Sequence, residues 1–247
     1  MVHRLEDILV GQEDNRGRDK RMKMGMPEKR RNKTRKIIRR GYYNIFSHVY
    51  DTFVRLHSGD SAQRLRRWLI ETVGLEPGMN VLDLCTGTGS VAITARRAIG
   101  DKGLVVGLDF SEGMLRRAYQ KSYNIAWIQA DVTELPFKDN SLDAVFCAYG
   151  FYELKHGERT KVLEEVCRIL VPEGKFLMME HEVPMQPFIR FLYRIRLVTL
   201  GSLSSEKFIK KEMEIISGFF GSVMKEKSPS GNSKIIMGQY PKRQKRP

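Results

Sequence analysis

The sequence predicts an α/β fold: a mostly parallel sheet with helices on both faces and an antiparallel hairpin at the end. Three observations predict it. Short apolar runs alternate with longer stretches of helical spacing, the pattern of buried parallel strands joined by helices. A glycine turn, Gly87-Thr88-Gly89, follows the first of these runs and opens a helical stretch. Two final runs, 219–227 and 234–240, are joined by Ser228-Pro229-Ser230-Gly231-Asn232-Ser233, which reads as a hairpin.

Residues 1–35 are polar and highly charged, with only Leu5, Ile8 and Leu9 hinting at a short helix, so a basic extension that is mobile or lightly docked is expected. From residue 36 the pattern changes. Ile38, Tyr42, Ile45, Phe46, Val49 and Phe53 recur at three- and four-residue spacing beside Arg39 and Arg40. An amphipathic helix over 36–58, or a pair of short ones, either lies on a membrane, closes over a ligand or packs on the core. A helix over 65–73 follows, with Leu65, Trp68, Leu69 and Thr72 inward.

Pro77-Gly78 turns the chain into a strand beginning near Asn80, whose Val81, Leu82 and Leu84 suit burial on both faces; a helix over 90–99 comes next. Residues 104–108 form the second strand and end at Asp109; residues 126–129 form the third and end at Ala130-Asp131-Val132. Leu135-Pro136-Phe137 breaks into a loop, and Asp139-Asn140-Ser141 turns into a fourth strand over 142–148. A helix over 158–170 buries Val162, Leu163, Val166, Ile169 and Leu170 and is stopped by Pro172 and Gly174, before a fifth strand over 175–180. Pro184 and Pro187 open an insertion over 184–203 in which Phe188, Phe191, Leu192, Ile195 and Thr199 share one helical face opposite Arg190 and Arg194. Such a segment serves as a substrate cap or as a plain capping helix.

The whole chain of 247 residues has room for one such domain, taken as 36–240 with a basic tail at 241–247. Its formal net charge of +14 is uneven: residues 1–41 hold fourteen basic side chains against six acidic, and Lys242, Arg243, Lys245 and Arg246 add four more. Basic ends fit contact with an anionic membrane surface, contact with nucleic acid, or simple solubility. Cys85, Cys147 and Cys167 lie at no metal-like spacing and read as free thiols of a reducing compartment. With no apolar stretch of membrane-spanning length and no signal-peptide segment, a cytoplasmic protein is expected, monomeric or homodimeric.

The strand, glycine turn and helix form a ligand site at the helix amino end. Residues 87–92 fit the dinucleotide pattern, with Asp109 as a ribose-binding acid, and so keep an NAD-dependent oxidoreductase open. Asp83, four residues before Gly87, has no place in that pattern. A carboxylate there holds the loop's amides, caps the following helix, or meets the ammonium of an amino-acid-like ligand such as S-adenosylmethionine.

The segments D-L-C-T-G-T-G-S, G-L-D-F-S-E-G-M-L, A-D-V-T-E-L-P-F-K-D-N-S-L-D and R-I-L-V-P-E-G-K-F follow one another in an order that resembles class I S-adenosylmethionine-dependent methyltransferases. With Y-Y-N-I-F-S-H-V-Y-D upstream, the chain looks most like the family that C-methylates ubiquinone and menaquinone precursors. The resemblance covers roughly residues 41–240 and implies a Rossmann-like, seven-stranded sheet with S-adenosyl-L-methionine as cofactor. It implies a small lipophilic acceptor, a quinone precursor ahead of a phospholipid amine.

Carried over residue by residue, the cofactor site comprises Tyr43 and Tyr50 as lid residues, and Asp83, Cys85, Thr86, Gly87, Thr88 and Gly89 around the loop. Asp109 serves the ribose hydroxyls, Phe110 and Met114 the adenine faces, Asp131 and the Val132 amide the adenine edge, and Ala148 and Tyr149 the end of the fourth strand. Cys85 departs from the glycine or alanine of many relatives. For the acceptor's proton the candidates are His156, His48, His181, Asp51 and Glu153, with Tyr149 or Tyr152 placing the ring; Tyr149, His156 and Asp51 are the favoured catalytic set. No metal is expected. The fourth strand ends Cys147-Ala148-Tyr149-Gly150 and lacks the N/D-P-P-Y/F of base amino-methylating enzymes, which weighs against an RNA methyltransferase without removing it.

Overall fold

The computed structural model describes residues 2–10, 64–154, 156–182, 204–229, 231 and 233–242. The expected helix over 36–58, the insertion over 184–203, and with them Tyr43, His48, Tyr50 and Asp51, lie outside the described residues. Among the described residues, six helices, α1 (Val2–Ile8), α2 (Arg64–Val73), α3 (Ser90–Ile99), α4 (Glu112–Lys121), α5 (His156–Ile169) and α6 (Ser204–Phe219), surround one sheet. Its strands are β1 (Asn80–Leu84), β2 (Leu104–Asp109), β3 (Ala126–Gln129), β4 (Leu142–Ala148), β5 (Leu170–His181), β6 (Phe220–Lys227) and β7 (Ser233–Pro241).

The sheet order is β3-β2-β1-β4-β5-β7-β6. Strands β1 to β5 are mutually parallel, β7 runs antiparallel to β5, and β6 pairs antiparallel with β7. The order reverses between β1 and β4, so their carboxyl ends open the crevice in which open α/β sheets bind ligands.

Burial alternates along the strands because both faces are covered. Leu82, Leu84, Val106, Leu108, Val145, Cys147, Phe176 and Met178 belong to one core, which also takes residues of α5 and α6. Val81, Val105, Ala144, Phe146, Leu177 and Met179 belong to the opposite core with Leu69, Ile70 and Val73 of α2 and Val91, Ala92 and Ala95 of α3. Trp68, expected inward, is only half-buried there and donates its Nε1–H to Glu226 at 3.3 Å.

Several boundaries differ from expectation. Helix α5 starts at His156 and β5 takes over at Leu170; Leu142 pairs with Leu170 but Ala144 pairs with Lys175, so residues 171–174 form an irregularity where Pro172 and Gly174 interrupt the ladder. Phe219 ends a helix rather than starting the hairpin. The first residues are docked: Ile8 is buried, Leu9 bridges to Phe137, and Val10 N–H donates to Pro136 O at 3.1 Å. Lys138 replies with its N–H to Ile8 O at 2.8 Å, fixing α1 to the loop before β4, at the amino-terminal edge of the sheet.

Candidate functional site

The site is assembled at the carboxyl ends of β1, β2 and β4 and from the loops that leave them. Asp83 is the penultimate residue of β1 and is buried. Its Oδ2 accepts from Thr86 Oγ1 at 2.5 Å and from Ala92 N–H at 3.1 Å, in the first turn of α3. The carboxylate therefore ties both ends of the glycine loop together and serves an amide that the helix leaves unpaired. Burial pushes its pKa up to about 7, against the pull of the Thr86 and Ala92 bonds, and the nearby charge of Asp109 adds to the rise. Of the roles expected for Asp83, bracing the loop is the one the geometry displays.

Asp109 closes β2, likewise buried, with Oδ2 accepting from Gly87 N–H and Oδ1 from Ser111 N–H, both at 2.9 Å. Thr86 N–H donates to Leu108 O at 3.0 Å, so the loop is stitched to β2 along its length. Gly87 and Gly89 have φ of 55° and 83°, which a side chain resists. A Cβ at Gly89 would lie 2.5 Å from the Trp127 ring, and one at Gly107 of β2 only 2.2 Å from it. Trp127 thus packs flat over two glycines and anchors its own Nε1–H on Ser122 O at 3.0 Å. Thr88 is buried and its carbonyl accepts from Lys121 Nζ at 3.2 Å.

The adenine candidates follow β2 and β3. Phe110 is half-buried and its carbonyl accepts from Gln129 Nε2 at 3.0 Å. Ser111 caps α4, its Oγ accepting from Met114 N–H at 3.3 Å, and Met114 itself is buried. Asp131 is exposed and holds the Thr133 amide and hydroxyl at 3.0 and 2.7 Å, while Val132 packs into the core.

Two residues other than glycine adopt left-handed backbone at the switch point: Cys85 with φ 55° and Tyr149 with φ 58°. Such strain collects at functional sites. It also explains why glycine suits the Cys85 position. Tyr149 follows Ala148 at the end of β4; its N–H donates to Met179 O at 2.8 Å, its hydroxyl sits 2.9 Å from Ser233 Oγ, and its ring lies 4.5 Å from that of His181 at the end of β5. Tyr152 points the other way, its hydroxyl donating to the buried Glu212. His156 opens α5.

Sequence reasoning missed the polar cluster beneath this edge. Glu180 is buried and accepts from Tyr152 N–H at 3.0 Å; burial pushes its pKa up to about 8. Glu212 pairs with Lys234 at 2.7 Å with both side chains buried, and Lys225 joins at 2.8 Å. Arg159, also buried, donates to the carbonyls of Phe151 and Tyr152 at 3.3 and 2.8 Å. No group of metal-ligating side chains occurs among the described residues.

The site fits a ligand with an adenosyl group and an amino-acid end. Acceptor-only carboxylates suit a vicinal diol and an ammonium, and the Asp109 carboxylate is held in place by the Gly87 and Ser111 amides. A model of the ubiE/COQ5 methyltransferase family matches residues 30–208. The chain is 31% identical over 180 residues to a demethylmenaquinone methyltransferase of Shouchella clausii, covering 70% of this chain and 76% of that one. It is 34% identical over 149 residues to a 2-phytyl-1,4-naphtoquinone methyltransferase of Nostoc, covering 57% and 64%. Among solved structures, a SAM-dependent methyltransferase of Aquifex aeolicus shares the fold, with a TM-score of 0.52 at 20% identity over 71% of this chain and 89% of that one.

Proposed function

The chain belongs to the ubiE/COQ5 methyltransferase family, and from that premise we propose that its acceptor is a lipophilic quinol methylated at a ring carbon. It is an S-adenosylmethionine-dependent methyltransferase of class I fold. The NAD-dependent and RNA-directed readings gain no support from the family or from these relatives.

S-adenosylmethionine, when bound, supplies a methyl group on a sulfonium, an electrophile that needs no covalent help from the protein. The chain's part is to bind, orient and exclude water. Asp109 would hold the ribose hydroxyls, the left-handed glycine loop would let the backbone approach the ligand, and Asp83, which ties that loop together, would offer its carboxylate to the ammonium. Phe110, Met114, Asp131 and the Val132 amide serve the adenine. Cys85, Thr86, Thr88 and Ala148 are assigned to the remaining cofactor contacts; Tyr43 and Tyr50, expected as lid residues, lie outside the described residues.

The observation that carries the acceptor reading is the Tyr149–His181 ring pair at the ends of β4 and β5, one strand beyond the glycine loop. A flat ring stacks on such a surface. Its hydroxyl must lose a proton for the ring carbon to become nucleophilic, and an imidazole accepts one near neutral pH. Among the candidate bases His181 is the one with a described contact to Tyr149; His156 and Asp51 remain candidates on sequence grounds alone.

The Shouchella and Nostoc relatives carry the names of enzymes for demethylmenaquinone and 2-phytyl-1,4-naphtoquinone, which supports a naphthoquinol with an isoprenoid tail. No described helix is long and apolar enough to cross a membrane, and the basic ends supply attraction to an anionic surface where such an acceptor resides. Methyl-labelled S-adenosylmethionine incubated with vesicles holding a reduced demethylated naphthoquinol is expected to label the quinol. Label in the phosphatidylethanolamine of the same vesicles would replace the quinol reading with the phospholipid one, and label in neither would remove both.

A further inference from the structure

Cys85 and Cys147 come together at the switch point. Leu84 of β1 pairs with Cys147 of β4, so Cys85, one residue on, is its diagonal neighbour across the ladder. Both cysteine sulfurs lie beside Gly150. A Cβ on Gly150 would lie 2.6 Å from Cys85 Cβ, 3.1 Å from Cys85 Sγ and 3.7 Å from Cys147 Sγ. The missing Cβ is what leaves room for two sulfurs side by side.

The two cysteines are unequal. Cys147 is buried in the core, whereas Cys85 is only half-buried, on the loop proposed to hold the cofactor. Cys85 also holds a left-handed backbone, which a residue with a side chain resists. The third cysteine, Cys167, sits elsewhere, its Sγ donating to Phe219 O at 3.4 Å.

We propose that Cys85 and Cys147 are a modification site, a dithiol that a hydroperoxide converts to a disulfide and that thereby releases the cofactor. The Cys85 sulfur attacks the peroxide O–O bond, taking one oxygen as a sulfenic acid while the other leaves as an alcohol or water. The Cys147 sulfur then attacks the Cys85 sulfur, and the sulfenic hydroxyl departs as water with the Cys147 proton. Two thiols have lost two electrons and the peroxide has gained them. An accessible sulfur beside a sheltered resolving one is the arrangement this sequence requires. The neighbouring Cys85 and burial both push the Cys147 thiol up, so attack begins at the more exposed Cys85.

Drawing Cys85 toward β4 displaces the backbone between Asp83 and Gly87, which the Asp83–Thr86 and Asp109–Gly87 bonds otherwise hold. The link to cofactor release rests on the proposed role of that loop; disulfide formation does not.

The full-length reduced protein would be treated with hydrogen peroxide, denatured, alkylated and weighed, with S-adenosylhomocysteine affinity measured by calorimetry before and after. The expected result is loss of two hydrogens, one alkylated thiol of three, and a cross-linked peptide pair holding Cys85 and Cys147. Affinity should fall about tenfold or more and return with dithiothreitol. Cys147→Ala should stop the reaction at a Cys85 sulfenic acid that dimedone traps, and Cys85→Gly, which suits the left-handed backbone, should abolish both products. Three alkylatable thiols after peroxide, a cross-link through Cys167, or undiminished affinity with the Cys85–Cys147 link in place would each overturn the proposal. Reduced protein that forms the link but never binds S-adenosylhomocysteine would instead count against the loop as cofactor site.

Discussion

Tyr149 and His181 lie ring against ring, centroids 4.5 Å apart and planes tilted by 35°, at the ends of the neighbouring strands β4 and β5. The tyrosine is held from both ends, by its N–H on Met179 O and its hydroxyl on Ser233 at the start of β7. The antiparallel closing hairpin thus fixes the surface proposed for the acceptor. If His181 accepts the acceptor's proton, His181→Gln should lower kcat about a hundredfold, the scale of a lost acid–base group, while S-adenosylhomocysteine affinity stays within about twofold. Tyr149→Phe keeps the ring but frees Ser233, so stability should fall by about 1 kcal/mol. Equal losses of kcat and cofactor affinity in His181→Gln would mark His181 as structural.

Two buried carboxyls set a pH dependence of stability. Burial raises Asp83 from 3.8 to about 7 and Glu180 from 4.5 to about 8. Both are raised above their unfolded values, so the folded state retains protons that the unfolded chain has released. Their contribution is complete below about pH 4 and is lost as pH climbs through 7 to 8. Urea midpoints should therefore be lower at about pH 8.5 than at about pH 5.5, and Asp83→Asn should flatten the lower part of that window. Cofactor affinity should run the opposite way, because a ligand ammonium favours ionised Asp83. Calorimetric affinity that does not rise between about pH 6 and about pH 8 would separate Asp83 from the ammonium and leave it the loop brace alone.

The sheet was legible because its strands are covered on both sides, and their apolar runs stand out without side-chain alternation. The glycine turn was legible because two glycines after a buried apolar run mark a tight turn, and both do take a left-handed backbone. Helix α6 was not legible. Its buried stripe runs Phe208, Glu212, Ile216 and Phe219, and the glutamate breaks the apolar period until its partner Lys234, on β7, is known. Glu180 and Arg159 were overlooked likewise, since a charge in sequence reads as surface and only tertiary partners make it interior. The strain at Cys85 and Tyr149 is a matter of backbone angle, which residue type does not announce.

The Glu212–Lys234 pair makes a stability prediction of its own. Both side chains are buried, with Lys234 Nζ 2.7 and 3.0 Å from the two Glu212 oxygens and Tyr152 donating to the same carboxylate. Lys234→Met leaves Glu212 with Lys225, which is one-third exposed, as its remaining cation. Removing one partner of a buried pair typically costs about 3–5 kcal/mol, and Lys225 should hold the loss near the lower end. Urea denaturation of Lys234→Met and of Lys225→Met checks the ranking, the first losing more than the second. A reversed order would mean that the solvent-facing lysine carries the pair.

Trp127 separates two kinds of glycine requirement. Gly107 lacks a positive φ, and the Trp127 ring, 2.2 Å from a would-be Cβ, is the main obstacle to a side chain there, with Thr86 Oγ1 next at 3.1 Å. Gly89 has both that ring at 2.5 Å and a φ of 83°. Gly107→Ala and Gly89→Ala should each destabilise by about 2 kcal/mol or more, through overpacking in both and backbone strain in the second. Trp127→Leu removes the obstacle, so combined with Gly107→Ala it should be little less stable than Trp127→Leu alone. Combined with Gly89→Ala it should remain lower by about 1 kcal/mol, the left-handed penalty, with weakened S-adenosylhomocysteine binding because the amino end of α3 is set by that residue. Thermal melts and calorimetry on the two double variants decide the matter: rescue at both positions would make Gly89 a packing glycine, whereas rescue at Gly107 alone makes Gly89 the residue whose backbone conformation builds the cofactor loop.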